Sequence, residues 1–72
     1  MINTDLLKAK RRGAGISQEQ FGEILHFSQN AYFRREIGTV PFTPEEIIVT
    51  AKALKLSLID INNIWFGGEL PI

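Results

Sequence analysis

Apolar residues recur along this chain at helical spacing, in short blocks that each open with a side chain able to cap a helix. The clearest two blocks lie between Ser17 and Gly38. Ser17 can accept a hydrogen bond from the Gln20 amide while Gln20 reaches back to the Ser17 amide, a capping box that fixes where a helix begins. Phe21, Ile24 and Leu25 then fall on one side and Gln18, Glu19, Gln20 and Glu23 on the other, so this helix is expected to run to about Leu25. Gly22 within it costs about 1 kcal/mol relative to alanine, and close approach of a second helix would offset that cost. Ser28 opens the next block, with Ala31, Tyr32 and the stem of Arg35 facing inward and Gln29, Asn30, Phe33 and Arg34 facing outward.

The flanking blocks follow the same grammar. Asn3 to Asp5 is a polar start suited to a first helix through about Arg12, with Leu7, Arg11 and Ala14 along one side. The run Lys8, Lys10, Arg11, Arg12 is the densest charge block, read as a solvated face whose cations favour the carboxyl end of the helix. Gly13 and Gly15 stop that helix, one of them in a left-handed conformation, and Ile16 plugs the entry to the second. Beyond Gly38, Pro41 forbids a helix across Thr39 to Phe42. Thr43, Pro44, Glu45 and Glu46 then form a second capping box opening a helix to about Leu54, with Ile47, Ile48, Ala51 and Leu54 as its apolar stripe. Ser57, with Asp60 three residues on, starts a last helix through about Ile64 that turns Leu58, Ile61 and Ile64 inward. The stretch Trp65 to Ile72 is too apolar to stand in solvent: it closes the core or meets another chain. Five short helices and no strand pattern define a single compact all-α domain over residues 1–72. Its central pair forms a helix-turn-helix pattern.

Composition narrows the chemistry. A 72-residue chain has room for a small core, marginal unless packing is good or a partner adds buried surface, which leaves a homodimer open. With no cysteine and one histidine it has neither a disulfide framework nor a protein metal site, and no cofactor is expected. The sequence holds no long apolar run and no basic-then-apolar leader, so a soluble protein of the cytoplasm is expected, away from membranes. Eight basic and eight acidic side chains cancel, which weakens non-specific attraction to phosphate and keeps partners other than DNA open. An enzyme has little support. No nucleophile stands beside a base, no glycine-rich phosphate loop follows a strand, and Glu45 and Glu46 are explained as first-turn residues.

Arg11, the run Ile16 to Gly22, Phe27-Ser28, Glu36-Ile37-Gly38 and the run Ala51 to Ser57 together resemble the Cro/CI-type helix-turn-helix family of phage and bacterial regulators. The likeness extends from about Leu7 to Ile64. The serine-glutamine opening and the Glu-x-Gly ending are fairly specific at this spacing. The resemblance implies a transcriptional regulator of the lambda-repressor fold whose third helix lies in the major groove. Gln29, Asn30, Phe33 and Arg34 match the positions that reach base edges, Gln18 matches a phosphate-binding position, and Thr39 with its loop matches further backbone contacts. It also implies a structural pair between Arg11 and Glu36. The short length, the connection PFTPEE and the segment SLIDINNIWF are similar to small phage members that work with a separate CI-type repressor in the choice between lysis and lysogeny, at the nucleoid of a bacterial host.

Three departures from the family pattern bear on DNA reading. His26 occupies a turn position where the family prefers glycine, and histidine tolerates a left-handed backbone better than most residues. Arg35 stands where the family has a large apolar residue, so its stem must pack and its head is expected to snorkel outward, adding charge beside Arg34. Phe33 makes no base-edge hydrogen bond and finds only a thymine methyl in the groove, whereas against a protein it would be an anchor. It could equally fold back onto Val40 and Phe42. Two functions therefore stand: a protein whose helix-turn-helix face, with Phe33, Arg34 and Arg35, docks on a CI-type repressor and blocks or redirects operator binding, or a stand-alone Cro-like repressor reading operator half-sites as a dimer.

Overall fold

A side-chain cap sets the start of every helix in the computed structural model, which describes residues 1–72. Asn3 Oδ1 accepts the Leu6 amide at 3.0 Å and opens α1, Thr4–Gly13. The Ser17 and Gln20 box opens α2, Gln18–Ile24, and Ser28 Oγ accepts the Ala31 amide to open α3, Gln29–Glu36. Thr43 with Glu46 opens α4, Pro44–Leu54, and Ser57 with Asp60 opens α5, Leu58–Trp65. Each such cap contributes about 1 kcal/mol. Helices this short are marginal in isolation, so their permanence comes from the apolar faces they share.

Those faces meet in a core of Leu7, Phe21, Leu25, Tyr32, Leu54 and Ile64, with the Phe21 and Tyr32 rings stacked at 4.9 Å between centroids. Ile16, Phe27, Phe42, Leu56 and Trp65 pack against it from the rim. Four expected inward positions lie outside. Ile24, Ile48 and Leu58 are exposed, Leu58 by 69%, and Ala14 is also at the surface. On α4 the inward line runs through Ile47, Thr50, Ala51 and Leu54, which leaves Ile48 one step round the helix. On α5 the inward place is taken by Asn62, which is buried because the following segment satisfies its amide.

That segment folds back. Gly67 and Gly68 take left-handed φ values of 61° and 76°, after which the Leu70 amide donates to Asn62 Oδ1 at 2.9 Å and Asn62 Nδ2 donates to the Leu70 carbonyl at 3.2 Å. Trp65 sits edge-on to Phe42 at 5.3 Å and closes the core, while Phe66, Leu70 and Ile72 keep apolar surface outward. The Asn3 amide donates to the Ile64 carbonyl at 2.7 Å, tying the entry of α1 to the end of α5.

The turn between α2 and α3 determines how the outer face is presented. His26 is left-handed, at φ 61°, and the Phe27 amide donates to the Gly22 carbonyl at 2.6 Å. A Cβ on Gly22 would stand 3.0 Å from the carbonyl oxygens of both Phe27 and Ser28. What approaches the glycine is thus the backbone that leads into α3. Gly22→Ala would gain up to about 1 kcal/mol of helix propensity and lose about 1 to 3 kcal/mol to overpacking against backbone that cannot rotate aside. A fall of up to roughly 24 °C in the thermal midpoint, followed by circular dichroism, is the expected result for a domain of this size. A raised midpoint would mean that the turn yields freely.

Candidate macromolecule-binding face

Two anchors orient α3. Toward α1 and α2 it is held by Glu36, which is fully buried. Its carboxylate accepts from Arg11 Nε at 2.6 Å, Arg11 Nη2 at 3.4 Å, Gln18 Nε2 at 2.7 Å and Tyr32 Oη at 3.1 Å. Arg11 Nη1 also donates to the Ile16 carbonyl at 2.8 Å, so the expected Arg11 and Glu36 pair stands at the centre of a larger network. Burial alone would push the Glu36 carboxyl upward. Hydrogen bonds from Arg11, Gln18 and Tyr32, together with the Arg11 charge, outweigh burial and hold it below its ordinary 4.5. The Tyr32 hydroxyl is pushed upward, first by burial and then by the neighbouring carboxylate, so it remains a donor.

With Tyr32 and Glu36 turned inward, Gln29, Asn30, Phe33 and Arg34 stand at the surface. Phe33 is 40% exposed and shares a shallow concavity with Gln18, Ser28, Gln29 and Asn30. In the loop after α3, the Phe42 ring meets Trp65 edge-on. Thr39 is exposed, and its amide donates to the Arg34 carbonyl at 2.9 Å, which leaves its hydroxyl available.

One expectation needs correction. Arg35 does not send its head outward beside Arg34. Its Nε donates to Glu46 Oε1 at 3.0 Å and its Nη1 to the Ala31 carbonyl at 3.0 Å, and the guanidinium lies 4.0 Å above the centre of the Phe27 ring. An acid on α4 thereby cancels the charge it was expected to add. Gln18, placed at the amino end of α2 for a phosphate, spends one amide hydrogen on Glu36, so only its remaining N–H and its main chain point to such a role. On α2 and α3 together, Arg34 is the one cation outside an ion pair, while Glu19 and Glu23 are exposed carboxylates on α2.

A helix-turn-helix family model matches residues 7–61, a span that contains α2, α3 and α4 whole. This chain belongs to the Cro/CI-type helix-turn-helix family. Searches of curated proteins and of solved structures find no match to it. Membership points to a DNA-binding transcription regulator, in a family that is regulatory rather than enzymatic. No helix of this Cro/CI-type domain is long and apolar enough to cross a membrane.

Sequence reasoning missed most of the network beneath the family's outer face. Tyr32 and Glu36 are four residues apart on α3, a spacing from which their hydrogen bond could have been read. The Arg35 link was harder to see, because Glu46 already had an explanation as the closing residue of a capping box.

Proposed function

We propose that this protein is a small phage transcriptional regulator acting as a modulator of repression, which docks its helix-turn-helix face on a CI-type repressor and blocks or alters operator binding. One observation carries the reading: α3 offers an exposed Phe33 beside a single unpaired cation, Arg34, and the preceding helix, α2, adds the exposed carboxylates of Glu19 and Glu23. Affinity for DNA draws heavily on neutralised phosphates, and such a face neutralises few. An aromatic ring next to an arginine is instead the usual make-up of a protein hot spot. The connection PFTPEE and the segment SLIDINNIWF are also similar to those of the modulator of repression of a lactococcal phage. The partner surface expected is the amino-terminal DNA-binding domain of the repressor, in the cytoplasm of the bacterial host.

Exposed Gln29 and Asn30 at the start of α3 favour a second reading, a stand-alone Cro-like repressor. Either amide can pair bidentately with adenine, contributing about 1 to 3 kcal/mol of discrimination. That reading calls for a homodimer, and the exposed Leu58, Ile59 and Ile72 supply apolar surface for one.

A gel shift on operator DNA, with and without repressor and at stated salt, separates the two. The modulator reading expects no shift by the protein alone at moderate ionic strength and loss or change of the repressor's own shift on addition. A clean shift by the protein alone, with the repressor's band untouched, overturns it.

A further inference from the structure

The arginine that turned away from the surface has another task. We infer that Arg35 and Glu46 are positioning residues: one carboxylate serves both as the cap of α4 and as the anchor that fixes the direction in which α3 presents Phe33 and Arg34. This inference rests on the proposed use of the α3 face, but the bridge can be tested without it.

The geometry is specific. Glu46 Oε1 accepts the Thr43 amide at 2.9 Å, closing the capping box, and accepts Arg35 Nε at 3.0 Å. Glu46 Oε2 lies 3.5 Å from Arg35 Nη2, so the carboxylate faces the guanidinium with both oxygens. The same guanidinium holds the Ala31 carbonyl one turn back along α3 and covers the Phe27 ring in the turn before it. A single side chain therefore joins the turn, α3 and the first turn of α4, and both partners are largely shielded from solvent. It is also the one side-chain hydrogen-bonded link between α3 and α4. Glu36 and Tyr32 hold α3 on its other flank. A short helix gripped on one flank alone can rotate about that grip. Gripped on both, it cannot. A planar fork suits this task, because lysine could not face the carboxylate and reach the carbonyl in the same geometry.

Arg35→Met keeps much of the stem and removes the fork. Glu46→Gln keeps a capping oxygen for Thr43, since glutamine also closes capping boxes, and removes the charge that holds the arginine. Amide hydrogen exchange is measured helix by helix on the full chain, together with affinity for the repressor's amino-terminal domain and for operator DNA. In Arg35→Met, exchange across Gln29–Glu36 is expected to quicken about tenfold while α1 and α5 keep their protection. Affinity for whichever partner the wild type binds is expected to weaken about tenfold. Glu46→Gln should shift both readouts the same way by less, and Arg35→Met/Glu46→Gln should be no worse than Arg35→Met alone. Arg35→Lys should not rescue. Wild-type exchange across α3 in Arg35→Met, equal acceleration in all five helices, or additive losses in the double variant would each overturn the inference. If the wild type binds neither partner, the proposed function falls and the exchange pattern still decides the bridge.

Discussion

Arg11→Met is expected to lower stability by about 3 to 5 kcal/mol, because it strands the Glu36 charge in the core rather than because it removes a favourable contact. Glu36 has no exposure to water, and Arg11 is the cation that faces it. The whole stability of a domain this size is about 4 to 11 kcal/mol at typical values per residue, so the loss takes a large share of it. At about 4 to 8 °C per kcal/mol the thermal midpoint should fall by roughly 12 to 40 °C, enough at the upper end to leave much of the protein unfolded at physiological temperature. The companion variant separates the two causes. Arg11→Met/Glu36→Leu removes both charges but leaves the Tyr32 hydroxyl without its acceptor, at a cost of about 1 to 3 kcal/mol. Adding Tyr32→Phe should therefore recover most of the lost midpoint. A single variant that melts within about 5 °C of wild type would show that water reaches Glu36 in solution.

The same network fixes the sign of the acid response. The Glu36 carboxyl is held below its ordinary 4.5 in the fold, so its contribution to stability is complete above that value and is lost as pH falls through the lower folded value. Asp60 acts in the same direction, held down first by the Ser57 amide and then by Lys10, which lies 3.3 Å away. Stability should be flat near neutrality and fall on the acid side of about pH 4.5. Tyr32, pushed upward, adds no loss near neutrality.

Local chemistry made the helices legible. Capping needs only two side chains three residues apart, and the boxes at Ser17, Thr43 and Ser57 all form as their spacing implies. The left-handed turn at His26 was expected from the family resemblance, since the family prefers glycine there and histidine tolerates that backbone. Longer-range decisions were not readable. Periodicity assigned Ile48 and Leu58 to the core, but which sector of an amphipathic helix faces inward depends on what its neighbours fill, and Thr50 and Asn62 took those places. Asn62 could be buried only because Leu70, eight residues away, brings both a donor and an acceptor to it. Lys55 ends α4 in a left-handed conformation, φ 53°, where a glycine would have announced the stop. At the outer face, Gln29, Asn30, Phe33 and Arg34 stand at the surface because α3 turns Tyr32 and Glu36 inward. Arg35 was misjudged because its partner comes from a different helix.

Phe33→Ala/Arg34→Ala is expected to weaken repressor binding at least about 100-fold while leaving the fold intact. Both side chains stand at the surface, and neither takes part in the Glu36 network or the Arg35 bridge. Surface substitutions of this kind change stability by about 0.5 kcal/mol, so the midpoint should move by no more than about 4 °C. Removing a buried aromatic or arginine anchor from an interface costs about 2 kcal/mol or more, and two adjacent anchors exceed the 100-fold threshold even when their effects overlap. Two further variants distinguish the partners. Against a repressor, Phe33→Ala should account for much of the loss and Gln29→Ala/Asn30→Ala for little. Against an operator the order reverses, because the amides read adenine edges while the ring meets at most a thymine methyl. Arg34 serves both readings, as an interface anchor in one and a guanine or phosphate contact in the other. Binding isotherms for the three variants on each partner therefore form a pattern rather than a single number. Full repressor inhibition by the folded double variant would remove this face from the mechanism and leave the other exposed aliphatic residues, Ile48, Leu58 and Ile59, as the next positions to test.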